Sequence, residues 1–500
     1  MARQNPVATL RSLNIPALLG SACLWAWMGN LYASSFFAPL GAPAMMAEIA
    51  TWATFALVVP LSALFLVRST LIRKLIVQPG ALIGSGAVGT VGSLLFVGAA
   101  HRASWVLLGL GAALNALFMA TAILAWGAVY CKRGTTTATL YVTGGFTCSF
   151  IPSALSMLMA PLASAFVPTA LPLLANVFLV AVPAPERTYD QRQAPDPAPR
   201  PTSLANAIPR FLGISAPVVC ALALIMLGLG YMQHHISFTD FPDLATPNGG
   251  APLQLVRGLA ALVLFAVMLL APRRAPLVYR IGLLAIVAGF SLMPFLYGTE
   301  QFWIAGAVMT AGYVTFDVLI WIVIAQVAYT GLSDPFRVTC AIRVLVSSLF
   351  CTLGGLLGIA LSSIAEHAPF AYADAVLMGY LMTIAVVLVL SSPAVWELFD
   401  ARPVAPSTAP SPEAAIQSLA TIWGLTDRER EVFGLLAVGR TQPWVAEHLG
   451  ISESTVNSHV RHIYGKAGVN SRQDLLDLVV CAQSPEVVEK PSEPPQKHTV

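Results

Sequence analysis

Along the first four hundred residues, apolar positions run together in twelve stretches, each long enough to cross about 30 Å of hydrocarbon as a helix. They lie at about 15–39, 46–67, 80–100, 104–127, 136–158, 161–182, 209–232, 253–272, 278–298, 302–329, 341–365 and 372–392. Two are rich in small residues, GSGAVGTVGS (84–93) and CTLGGLLGIA (351–360), a composition that lets helix backbones approach closely in lipid. After Asp400 the pattern changes. Between Leu425 and Val479, apolar residues recur at helical spacing on one face only and predict four short amphipathic helices. Thr426 and Glu429 form a capping box ahead of Val432, Leu435 and Leu436, and Gly439 closes this first helix. Thr441 is placed to cap a second helix, with Pro443 in its first turn, Val445, Ala446 and Leu449 on its apolar face, and Gly450 as its stop. After a three-residue turn, Ser452 caps a third helix with Val456, Val460, Ile463 and Ala467 on one stripe. Ser471 and Asp474 cap a fourth. A short helix starting at Ser411-Pro412-Glu413 carries Ala415, Ile416, Leu419 and Ile422 into this region.

Asn457, Ser458 and Arg461 project from the face of the third helix opposite its apolar stripe. Taking about 100° per residue from Asn457, Ser458 lies at about 100° and Arg461 at about 40°. A helix, a tight turn and a second helix with a hydrogen-bonding outer face is the arrangement that seats a helix in the DNA major groove. At LTDREREV, AEHLGIS, STVNSHVRHIYGKAGV and NSR the stretch resembles the LuxR-type helix-turn-helix domain of bacterial transcription regulators. The resemblance implies that Asn457, Ser458 and Arg461 face base edges, and that Thr455, Lys466 and Arg472 contact phosphates. The family often carries Lys where Asn457 stands, which alters which bases are read, and Ile where Val445 stands. Six Lys/Arg against seven Asp/Glu between Leu425 and Val479 give this domain a net charge of −1. DNA affinity rests largely on phosphate neutralisation, so one copy binds weakly and a homodimer on double-stranded DNA is the expected working form.

Composition fixes the setting. With 57% hydrophobic and 10% charged residues, too little polar surface exists to cover twelve apolar helices in water. Residues 1–400 hold 18 Lys/Arg and 13 Asp/Glu, and the last hundred hold 9 and 11, a density more than twice as high. The boundary between lipid-soluble and water-soluble parts therefore falls near Asp400. Placing the N-terminus in the cytoplasm puts sixteen Lys/Arg of the membrane part on the inner side, Arg343 among them, and leaves Arg102 and Arg257 outside. That bias predicts both termini inside, at a bacterial cytoplasmic membrane, where the helix-turn-helix meets DNA. The first run is too long for a cleavable signal and has no obvious small-residue cleavage site.

The expected class is all-α: a polytopic domain over residues 1–400 with twelve transmembrane helices in halves 1–182 and 207–400, and a small four-helix domain at 413–480. Pro-rich segments at 183–206 and 401–412 read as linkers, and 481–500 as a disordered tail. Six helices, a cytoplasmic linker and six more resembles the major facilitator architecture. The loops after the second and eighth runs lack the Gly-x-x-x-Asp-Arg-x-Gly pattern of facilitator transporters, which speaks against transport.

Polar residues within the runs are few. Asp317, the one acid deep in a span by this reading, is a candidate signal site, or else a protonated group bonded to a neighbouring helix. Asn30, Asn115 and Asn176 line a cavity or bridge helices, the second being favoured. His234 and His235 stand beside the seventh run with no carboxylate or Cys nearby in sequence, and Asp240 and Asp243 lie in the outer loop 233–252. Seven cysteines at 23, 131, 148, 220, 340, 351 and 481 contain no C-x-x-C pair and read as packing residues. No phosphate loop, triad spacing or metal constellation appears, so neither an enzyme nor a cofactor is expected. The reading is a membrane-bound regulator in which an unidentified small molecule or ion, sensed in the bilayer, shifts a conformational equilibrium that governs DNA binding. The alternatives are a transporter with an accessory DNA-binding domain, and a protein-interaction module on a membrane scaffold.

Overall fold

The computed structural model describes residues 10, 13–32, 35–132, 134–152, 159, 161–189, 212–235, 251–296, 299–330, 333–365, 373–393, 395–396, 412–437, 440–469 and 471–482. All regular secondary structure among them is helical, and the chain divides into two compact units, Met1–Asp400 and Ala401–Val500.

In the first unit the helices are α1 (Ile15–Tyr32), α2 (Ala44–Val67), α3 (Pro79–Arg102), α4 (Trp105–Cys131), α5 (Gly134–Cys148), α6 (Pro161–Val180), α7 (Ala216–Gln233), α8 (Ala251–Leu270), α9 (Ala275–Leu296) and α10 (Phe302–Thr330). Next comes α11, which runs from Pro335 through a π-helical stretch, Thr339–Val346, into Ser347–Ala365; α12 is Ala373–Leu390. Among the described residues, nine helices are long and apolar enough to cross a membrane. Helices α1, α5 and α12 occupy the other three predicted runs without reaching both the length and the apolarity of a span. The outer surfaces of the bundle are apolar as well: Val67 of α2, Val106 of α4 and Phe295 of α9 are 79%, 73% and 82% exposed. Large apolar side chains standing this far out on helix after helix suit hydrocarbon, not water. This is a multi-pass membrane protein.

Helices α1–α6 pack among themselves, with α3 against α4 and α6; α7–α12 do likewise, with α9 against α10 and α7 against α11. The two sets meet where α2 lies along α11 and where α5 lies along α8 and α10. The small residues do what their composition predicted. At Gly354 of α11, an added Cβ would run into the Leu227 carbonyl oxygen of α7, so these two backbones are in contact and only glycine fits.

Several sequence expectations need correction here. Asp317 remains the acid deep in a span, but it is half-buried, and Glu48 near the start of α2 is the more buried of the two. His234 and His235 are buried and have acid neighbours that the sequence places far away, Glu48 for His234 (Nδ1 to Oε1 2.6 Å) and Asp374 for His235 (Nε2 to Oδ2 3.9 Å). Arg343 and Arg257 are not loop charges. Both line a cavity inside the bundle, so fifteen inner Lys/Arg remain against Arg102, and the bias keeps its sign. Asn115 and Asn176 do bridge helices, to Ser93 Oγ (3.2 Å) and the Leu82 carbonyl (2.8 Å), whereas the Asn30 amide donates within its own helix to Ala26. The first linker starts as packed structure: Arg187 is buried, and the Tyr189 hydroxyl donates to the Leu124 carbonyl at 2.6 Å. The rest of that linker, Asp240, Asp243, residues 401–411 and the tail from 483 lie outside the described residues.

The second unit has its own core. Helices α13 (Pro412–Ile422), α14 (Asp427–Ala437), α15 (Gln442–Leu449), α16 (Glu453–Ala467) and α17 (Arg472–Ala482) close around Val432, Phe433, Leu436, Val445, Ala446, Val456, Val460, Ile463 and Leu475. On α14 the buried partner of Leu436 is Phe433, while Leu435 sits at the margin. On α13 Ala420 is buried and Ile422, expected inside, is 76% exposed, because Leu425 turns in beneath it and donates to the Ala420 carbonyl.

Candidate functional site

Local hydrogen bonds fix the ends of the helices that carry the polar face. The Thr426 backbone N–H donates to Glu429 Oε2 at 2.8 Å, and the Glu429 N–H donates back to Thr426 Oγ1. Ser452 Oγ accepts from the Thr455 N–H at 3.2 Å and starts α16, and Ser471 and Asp474 form a second reciprocal box. Thr441 departs from expectation. It occupies the N-cap of α15, but its side chain accepts no hydrogen bond, and Pro443 in the first turn removes one donor it would have served. Gly450, with φ +64°, ends α15 in the left-handed region and turns the chain into α16. Gly439 lies outside the described residues.

This turn sets α16 across α15 and α14, with Val456, Val460 and Ile463 buried and Asn457, Ser458 and Arg461 exposed. None of those three polar side chains is engaged by another group among the described residues. The other cations between Leu425 and Val479 are all engaged. Arg428 pairs with Glu431, Arg430 donates to the Leu425 carbonyl, and the Arg440 guanidinium lies 4.6 Å from the Trp444 ring centre. Arg472 donates to the Arg440 carbonyl at 3.1 Å, and Lys466 Nζ sits 2.6 Å from Glu429 Oε2 and 3.2 Å from the Gly424 carbonyl. Thr455 Oγ1 lies 2.8 Å from Ser452 Oγ. The three residues expected at phosphates thus already have partners within the domain, a role in its packing that sequence spacing did not reveal.

Residues 424–479 match the family described as bacterial regulatory proteins, luxR family. The C-terminal domain is a LuxR-type helix-turn-helix. Over 67 residues the chain is 42% identical to a protein of Aeromonas salmonicida named as an HTH-type transcriptional regulator, spanning 13% of this chain and 34% of that protein. It is 36% identical over 52 residues to the transcriptional regulatory protein MctR of Rhizobium johnstonii, spanning 10% and 24%. The likeness to these regulators thus covers 34% or less of their lengths. Across 78% of this chain and 100% of the other, the structure is similar to a bacterial homologue of the iron transporter ferroportin in its outward-facing state, with 16% identity and a TM-score of 0.44.

The LuxR-type domain contains a buried carboxylate whose ionisation is tied to its fold. Hydrogen bonding from Lys466, then from the Thr426 backbone N–H, pulls the Glu429 carboxyl down to about 2, with desolvation opposing. Its value in the folded state lies below its unfolded value, so the stabilisation is complete above the ordinary carboxylate range and is lost as pH falls through about 2. Thermal melts of residues 412–500 should show a midpoint that drops between about pH 5 and pH 2. Glu429→Gln should flatten that slope, and an unchanged slope would remove Glu429 from the account.

The membrane unit has a cavity of about 140 Å³ where the two helix sets face each other. Asp317 of α10 lines it, with its Oδ1 2.5 Å from Nη1 of Arg343 on the π-helical stretch of α11. The Arg343 guanidinium lies beside both Trp25 and Trp321, 5.4 and 5.6 Å from their ring centres. Asp317, half-buried, is therefore paired with Arg343 rather than a lone acid. The sequence missed its partner because an Arg near the start of a run reads as an interfacial charge.

Proposed function

We propose that the protein is a membrane-bound transcription regulator, in which the membrane domain senses a small molecule or ion and controls binding of double-stranded DNA by residues 413–480. One observation carries the reading: among the described residues Arg461 stands exposed and unpaired on the outer face of α16, beside Asn457 and Ser458, while the other cations of the domain are occupied. An Arg presented in this way is suited to the two acceptors of a guanine edge in the major groove. The domain's own net charge of −1 supports a homodimer on DNA, since doubling the contacts offsets weak phosphate attraction. Thr455 and Arg472 retain further hydrogen-bonding capacity for phosphates; Lys466 acts first through Glu429.

Genomic fragments retained by the membrane-embedded protein test this reading. Enrichment of a defined sequence is expected. Arg461→Ala should weaken binding to it by about 1–3 kcal/mol, roughly 5- to 150-fold, with little change on random DNA. Equal retention of all fragments by wild type and variant would defeat it.

The surviving Lys/Arg bias supports both termini on the cytoplasmic side of a bacterial cell membrane. A reporter enzyme fused after Asp400 should work only if it functions in the cytoplasm; activity outside would reverse the arrangement. The transporter reading draws on the cavity between the two helix sets, an arrangement of facilitator type, and predicts ligand uptake into vesicles carrying the protein.

A further inference from the structure

The cavity in the membrane unit has an unbalanced lining. Its ionisable charges are Arg257, Arg343 and Asp317. Asp317 is already neutralised by Arg343, which leaves Arg257 of α8 without an ion-pair partner among the described residues. The guanidinium of Arg257 lies 5.0 Å from the Phe146 ring centre, in space that the missing side chain of Gly29 leaves open. Arg343 is 5% exposed, yet its Nε has no hydrogen-bond partner. A buried guanidinium with an idle donor calls for an acceptor, and carboxylates match the guanidinium fork. The backbone adds an independent sign: Arg343 lies in the π-helical stretch Thr339–Val346, and such interruptions of α-helices are frequent at functional sites. The remaining walls are mostly apolar, Trp25, Tyr32, Phe55 and Met232 among them, with neutral polar groups such as Gln254 and Ser348. A volume of about 140 Å³ suits one ring or a short chain, since an apolar cavity of about 150 Å³ takes up benzene.

We propose that this cavity binds a small organic anion, a carboxylate on a single ring or short apolar chain, with its charge held by Arg257 and Arg343 and its body against Trp25, Tyr32 and Phe55. That this anion is the regulatory signal rests on the sensor reading above; the binding site itself does not.

Calorimetric titration of the full-length protein in lipid nanodiscs with benzoate, benzamide and benzylammonium varies charge on a constant ring. Benzoate should bind at least tenfold more tightly than benzamide, and benzylammonium more weakly than either. Arg257→Gln should bring benzoate down to the benzamide level, a loss of at least tenfold, while Arg257→Lys keeps part of it; neither change breaks an ion pair. Equal binding of the three, preference for benzylammonium, no binding of any, or full benzoate affinity in Arg257→Gln would each overturn the proposal. No DNA takes part, so failure here leaves the regulator reading standing. The benzoate preference together with DNA retention indifferent to benzoate would instead sink the signalling role alone.

Discussion

Val460→Asp should unfold the LuxR-type domain while leaving the membrane unit intact. Val460 is 5% exposed and belongs to the cluster that includes Val432, Phe433, Val445, Val456 and Ile463. A carboxylate there would lose its hydration with no cation on that face of α16 to receive it, at a cost of several kcal/mol. Small domains are stable by about 5–15 kcal/mol at most, and one this short lies at the lower end, so the substitution consumes most or all of it. The control is two residues away. Ser458 is exposed, and Ser458→Asp should leave the fold unchanged while repelling DNA. Circular dichroism of residues 412–500 separates the two, and a wild-type melt for Val460→Asp would show that the faces of α16 have been read the wrong way round.

The second large effect is expected in the membrane unit. Asp317→Asn leaves the Arg343 guanidinium buried without its counter-charge, and Arg343→Gln leaves the Asp317 carboxylate likewise. Breaking one side of a buried pair costs about 3–5 kcal/mol, and here about 3 or less, since Asp317 is only half-buried. Restoring neutrality in Asp317→Asn/Arg343→Gln should recover much of that loss, because the double variant leaves neither member of the pair charged without the other. Thermal midpoints of the four proteins in detergent decide the matter, and losses that simply add would show that the two residues act independently. A double variant that folds normally but no longer alters reporter expression would tie this pair to signalling.

These effects also mark how far the sequence could be read. The capping boxes at Thr426 and Glu429 and at Ser471 and Asp474, and the cap at Ser452, span three residues each and depend on nothing beyond their own turn, so spacing reveals them. The buried stripe of α16 is equally local, because helical periodicity alone places Val456, Val460 and Ile463 on one side. Thr441 fits the same local pattern without making the bond, since spacing specifies position but not rotamer. Lys466 marks the limit within this domain. Its distance from Glu429 is thirty-seven residues in sequence and 2.6 Å in space, so a residue assigned to phosphate is first a partner of a buried carboxylate.

The sequence by itself determined the membrane setting, the boundary near Asp400, the helix-turn-helix and the outward placement of Asn457, Ser458 and Arg461. These follow from hydrophobicity over about 20 residues, from charge density and from the 3.6-residue period, all properties of contiguous chain. The tertiary structure alone decided which charges meet. Arg343 and Asp317, His234 and Glu48, and Arg257 with its open cavity come from helices distant in sequence. A charge inside hydrocarbon is tolerated only where packing supplies a partner or a polar cavity, and no pattern along one helix specifies which other helix will supply it.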